Sequence, residues 1–202
     1  NGDGFADAIV TAPRGMHPAS VLFGGSAFFY AGTAEGLPLH GELLPPFPGH
    51  SAWDLLRTVS GIGDFNGDGH TDFALVLGND ERADPLPEGF HYPVDCMPVR
   101  NDGGGLYIFL GGPDAFDFVP DYVYWGSGVG DVPDRLVGGY DFNGDGLHDI
   151  AMGSHRNDTD GLNDRGAVVL IAGLPDPMPG MISVLCEPML EITGDEAGNH
   201  LG

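Results

Sequence analysis

Two nine-residue stretches place oxygen-bearing side chains at a fixed spacing. They are Asp64-Phe65-Asn66-Gly67-Asp68-Gly69-His70-Thr71-Asp72 and Asp141-Phe142-Asn143-Gly144-Asp145-Gly146-Leu147-His148-Asp149. A truncated third copy, Asn1-Gly2-Asp3-Gly4-Phe5-Ala6-Asp7, opens the chain and lacks the first two positions. Counting Asp64 as position 1, Asp or Asn stands at positions 1, 3, 5 and 9, and Gly at 4 and 6. Hard oxygen donors at alternate positions of a tight turn suit one Ca²⁺ ion, and glycine at position 6 permits the sharp bend. The candidate side-chain ligands are Asn1, Asp3 and Asp7; Asp64, Asn66, Asp68 and Asp72; and Asp141, Asn143, Asp145 and Asp149. Position 7 (Phe5, His70, Leu147) would contribute only its backbone carbonyl.

The helix–loop–helix calcium motif has the same beginning but a different end. It needs a bidentate Glu at position 12 and helices on both sides. Position 12 here is Val10, Leu75 or Met152, so the loop must close at position 9. Short apolar runs follow each loop: 8–10, 73–77 and 150–152. They read as buried strands rather than helices. Gly-punctuated, strand-like stretches precede the complete loops at 58–63 and 135–140. Each loop is therefore expected to be the turn of a β-hairpin.

Gly63-Asp64-Phe65-Asn66-Gly67-Asp68-Gly69 followed by Asp72-Phe73-Ala74-Leu75-Val76 resembles the FG-GAP repeat, the blade unit of integrin α-subunit β-propellers. Ala12-Pro13 stands where that family has Gly-Ala-Pro, whereas 77–79 and 153–155 depart from that part of the signature. The resemblance extends over nearly the whole chain. It is specific for fold and much less so for function. It implies that the loop joins the first and second strands of a four-stranded antiparallel blade.

The repeat sets the expected architecture: an all-β fold of about three consecutive propeller blades, part of a larger propeller or assembly. Approximate blades are 1–52, 53–126 and 127–193, with 194–202 as the start of another. Third strands are expected at 19–25, 105–112 and 167–173, and fourth strands at 122–125 and 189–193, with a less defined one near 39–44. Three units cannot close a ring of about 4–8 blades. Either neighbouring blades belong to the same chain, which would then extend beyond Asn1, or copies associate.

The chain has 202 residues, 30 acidic and 7 basic, for a net charge of −23. That balance repels nucleic acid and anionic lipid. Eight of the acids lie in the three loops, and the others read as solvated surface. The 35 Gly and 17 Pro suit many tight turns between short strands. No run is apolar over the ~18 residues needed to span a bilayer. Cys96 and Cys186 could form one disulfide between adjacent blades or remain two thiols. The loops point outside the cell, because cytosolic free calcium is too low to fill weak sites of about 10⁻⁴–10⁻³ M.

No catalytic motif is present: no His-Glu-x-x-His, no Gly-x-Ser-x-Gly and no phosphate-binding glycine loop. His155 and Arg156 could meet a carboxylate or serve only as caps, and Trp53 and Trp125 could stack on sugars or pack between blades. The insert at 79–104 is a candidate recognition loop or a Pro-stiffened cover. Two functions remain open. One is a non-catalytic, calcium-binding extracellular module for adhesion or for protein or glycan binding through rim loops, or a structural subunit of a surface assembly. The alternative is the non-catalytic propeller part of a secreted carbohydrate-active or hydrolytic enzyme.

Overall fold

A computed structural model describes residues 3–13, 25–43, 55–78, 90–91, 104–112, 119–125, 133–155, 165–175, 182–185 and 188–198. Every regular element among them is a strand. The first unit holds β1 (Ala8–Ala12), β2 (Ser26–Tyr30) and β3 (Glu42–Leu43). The second holds β4 (Leu55–Gly63), β5 (Asp72–Gly78), β6 (Phe90–His91), β7 (Gly105–Phe109) and β8 (Tyr122–Trp125). The third holds β9 (Arg135–Tyr140), β10 (Asp149–Ser154), β11 (Ala167–Ile171), β12 (Ile182–Leu185) and β13 (Leu190–Thr193).

In the third unit β9, β10, β11 and β13 form the expected four-stranded antiparallel sheet. The second unit departs from expectation. Its antiparallel order β4-β5-β7-β8 continues into β12 and then β6, which are both paired in parallel, giving six strands. The outer edge of β8 would otherwise present unpaired backbone groups. β12 leaves its own unit to cover them, with Val184 opposite Val123. A parallel partner cannot come through a tight hairpin, so this strand arrives from some sixty residues downstream.

In the first unit the neighbour of β1 is Ser26–Tyr30, not the expected stretch at 19–25. The pair Gly24-Gly25 precedes the strand, whereas Gly111-Gly112 follows one. The glycine equivalent to Gly111 and Gly173 is Gly32, as the hydrogen bonds below establish. Residues 19–24 lie outside the described residues, as do Asn1, Trp53, Cys96, Arg156, Cys186, and all of the 79–104 insert but β6 and Gly104.

The core explains the unbroken apolar run after the second loop. All seven residues of β5 are buried, because the sheet is covered on both faces. Phe73, Leu75 and Leu77 face the first unit, packing with Tyr107, Phe109, Ala27 and Phe29. Ala74 and Val76 face the third, joining Leu106, Ile108, Ile150, Met152 and Ile171. The Phe73 and Phe109 rings stack at 4.7 Å. Each such aliphatic or aromatic side chain contributes about 1.5–3 kcal/mol on burial, so apolar packing binds one sheet to the next. β4 and β9 also run against each other. There Gly138 admits the neighbouring backbone: a Cβ on it would lie 2.7 Å from Ile62 Cα.

Candidate metal centre

The complete loops are the turns of the β4–β5 and β9–β10 hairpins, flanked by strands as the sequence requires. Gly67 and Gly69 take φ of 80° and 88°, and Gly144 and Gly146 take 82° and 92°. These left-handed values are those that favour glycine at positions 4 and 6.

Each loop folds around its position-1 carboxylate. Asp64 accepts the N–H of Gly67 (2.8 Å) on one oxygen and that of Gly69 (2.9 Å) on the other. Asp141 accepts those of Gly144 (2.6 Å) and Gly146 (2.9 Å) in the same way. The backbone bonds to Asp141, led by Gly146, hold its carboxyl below the usual carboxylate range, so it remains ionised. Position 5 accepts the N–H of position 7 in every copy: Phe5 to Asp3 at 2.9 Å, His70 to Asp68 at 2.8 Å and Leu147 to Asp145 at 2.9 Å. Asn66 donates from Nδ2 to Asp68 at 3.1 Å, and Asn143 to Asp145 at 2.8 Å. Positions 1, 3 and 5 thus share one solvent-facing turn.

Position 9 lies elsewhere. Asp72 and Asp149 are buried, with 1% and 0% exposure. Asp72 accepts the N–H of Phe65 (2.7 Å) and of Gly111 (2.6 Å). Asp149 accepts those of Phe142 (2.7 Å), Asn143 (3.3 Å) and Gly173 (2.8 Å). Asp7 accepts that of Gly32 at 2.8 Å. The ninth residue therefore staples the loop to the glycine two residues beyond the aligned third-strand position, a role that spacing alone did not reveal. Among the described residues no three His, Cys, Asp or Glu side chains form a group able to hold a metal ion in these positions.

The donor set nevertheless fits a hard cation. Asp64, Asn66 and Asp68, and Asp141, Asn143 and Asp145, are oxygen donors on one short turn, with no soft ligand among them. Each carboxylate offers about four lone-pair sites, and the backbone bonds above use only some of them. Asp72 and Asp149 are further oxygen donors, bonded to the N–H groups of Phe65 and of Phe142 and Asn143 in the same turns.

Burial drives the Asp72 carboxyl up to about 7, against the backbone bonds from Gly111 and Phe65, with the charges of Asp68 and Asp64 adding to the rise. The folded chain therefore keeps a proton that the unfolded chain, with a value near 3.8, releases. The stability from this group is complete below about pH 4 and is lost as pH rises through about 7. In calcium-free buffer the melting temperature of the wild type relative to Asp72→Asn is expected to fall over that window. If the loop takes up calcium, the nearby cation would favour the carboxylate and the relative slope should flatten. Parallel pH profiles in calcium-free buffer would refute this assignment.

The second and third loops touch. His148, position 8 of the third unit, accepts the Asp64 N–H on Nδ1 at 2.7 Å and donates its own N–H to Asp64 O at 3.0 Å. Leu174 N–H donates to Phe65 O at 3.0 Å. The first and second loops instead border a cleft of about 530 Å³, lined by Phe5, Asp7, Phe29, Val59, His70 and Phe73 among others. At the other end of the β9–β10 hairpin His155 Nδ1 pairs with Asp134 at 2.7 Å, giving that histidine a carboxylate of its own sheet.

A β-hairpin whose acidic turn joins the first two strands of a four-stranded antiparallel sheet is consistent with one blade of a β-propeller. Residues 133–171, which span β9, the acidic turn, β10 and β11, match the family model of the FG-GAP repeat. The chain thus carries an FG-GAP repeat. No curated protein matches it. Among the described residues no helix is long and apolar enough to cross a membrane.

Proposed function

We infer that this chain is a calcium-stiffened β-propeller module that binds a protein or glycan ligand outside the cell or at its surface. The observation that carries the reading is the repeated turn. Loops 64–72 and 141–149 have the same donors at positions 1, 3, 5 and 9, the same two left-handed glycines and the same backbone bonds to positions 1 and 5. Asp64, Asn66, Asp68 and Asp72 would hold one ion with the His70 carbonyl. Asp141, Asn143, Asp145 and Asp149 would hold another with the Leu147 carbonyl, and Asn1, Asp3, Asp7 and the Phe5 carbonyl would contribute to a third. The ion supplies charge balance and rigidity. The cleft between the first and second loops has a volume within the range of about 300–1,000 Å³ typical of ligand sites. Stiff loops bind with a smaller ordering cost.

The test is a screen of glycans and extracellular protein ligands in calcium and in EDTA, with a parallel assay for turnover. Saturable binding that chelation abolishes, without turnover, is the expected result. Turnover of a bound glycan would favour an enzyme component instead. Binding unaffected by EDTA would remove calcium from the account.

A further inference from the structure

We propose that His148 couples the two complete loops, so that an ion in loop 141–149 raises the calcium affinity of loop 64–72. The proposal rests on the calcium reading above and adds a regulation to it. Both backbone polar groups of Asp64 are held by one residue of the other loop, at 2.7 Å and 3.0 Å. Asp64 is also the residue around which its own loop folds. His148 in turn lies between Leu147 and Asp149, positions 7 and 9 of the other loop.

The contact has no slack. A Cβ on Gly63 would overlap His148 Nδ1, and one on Gly67 would lie 2.7 Å from Leu147. A second connection runs through Gly173, whose N–H binds Asp149. A Cβ there would come within 2.8 Å of both His148 O and Phe65 O. Fixing loop 141–149 around an ion therefore fixes the imidazole, and the imidazole fixes Asp64 in the position from which it arranges Gly67 and Gly69. The second ion then enters a loop whose ordering cost has already been met. Linkage makes the effect reciprocal.

The experiment is a Ca²⁺ titration of the ¹⁵N-labelled chain, following the amides of Gly69 and Gly146 separately. Asp145→Asn weakens the second loop. With His148 intact, it should raise the calcium midpoint at Gly69 by about five-fold or more, the lower end of ordinary coupling. In His148→Ala, which loses the Nδ1 acceptor but keeps the backbone bond to Asp64 O, the same change should move the Gly69 midpoint by less than about two-fold. His148→Asn, whose Oδ1 can accept the Asp64 N–H, should restore the coupling, which loss of packing alone would not predict. If both glycines respond to calcium but Asp145→Asn leaves Gly69 unchanged, the coupling is overturned and the calcium reading stands. Coupling that is undiminished in His148→Ala removes the His148 side chain as the connector. If neither glycine responds to calcium, both fall. Should His148→Ala not fold, the same comparison in His148→Leu, which offers the Asp64 N–H no acceptor, takes its place.

Discussion

Replacing Asp149 with alanine should lower the unfolding free energy by about 3 kcal/mol or more in calcium-free buffer. Its carboxylate is fully buried and accepts three backbone N–H groups, from Phe142, Asn143 and Gly173. The Gly173 bond is buried and those of Phe142 and Asn143 are half-buried, and a buried donor left without an acceptor costs about 1–3 kcal/mol. The Asn143 bond is long at 3.3 Å and sets the lower end of that sum. Alanine provides no acceptor, and at a fully buried position water does not readily replace one. Asp145→Ala is the control. Asp145 lies on the exposed turn, so its loss without calcium should stay within about 0.5–1 kcal/mol. Urea unfolding of the two variants measures the difference. Equal losses would mean that position 9 has no structural role apart from the ion.

Removing calcium should have an effect of similar or larger size. A ligand that binds only the folded state at 100 times its dissociation constant stabilises it by about 2.7 kcal/mol per site. At about 10 mM calcium and a dissociation constant near 10⁻⁴ M, two complete loops would together contribute about 5 kcal/mol. EDTA should therefore lower the melting temperature by several degrees or more. The pair Asp68→Asn with Asp145→Asn should reproduce that shift in calcium and show little further response to EDTA. A melting curve that chelation leaves unchanged would end the structural role assigned to the ion.

Turn chemistry and strand periodicity are local properties, and they were legible in the residues. The glycine pattern placed the sharp bends at Gly69 and Gly146, and both have left-handed φ. The apolar run after Asp72 indicated a strand buried on both faces, and β5 is one. The edge cover β12 was not legible, because a parallel partner drawn from another unit leaves no mark on the spacing of either strand. The shift of β2 to Ser26–Tyr30 was hidden for a related reason. Gly24-Gly25 imitates the later pair Gly111-Gly112 in composition, and only the bond from Gly32 to Asp7 reveals the true equivalence.

The segment Asp-Phe-Asn-Gly-Asp-Gly, which occurs twice, marks the division most clearly. By itself it determined a left-handed, carboxylate-centred turn, and both copies fold that way. Tertiary structure decided the surroundings. Phe65 is fully buried against Tyr122 at 5.7 Å, on the face that the third unit covers, whereas Phe142 is 48% exposed beside Tyr140. A turn is fixed by the bonds within it. The fate of its side chains, and its contact with the next loop through His148, depends on which sheet lies alongside, and six residues cannot encode that.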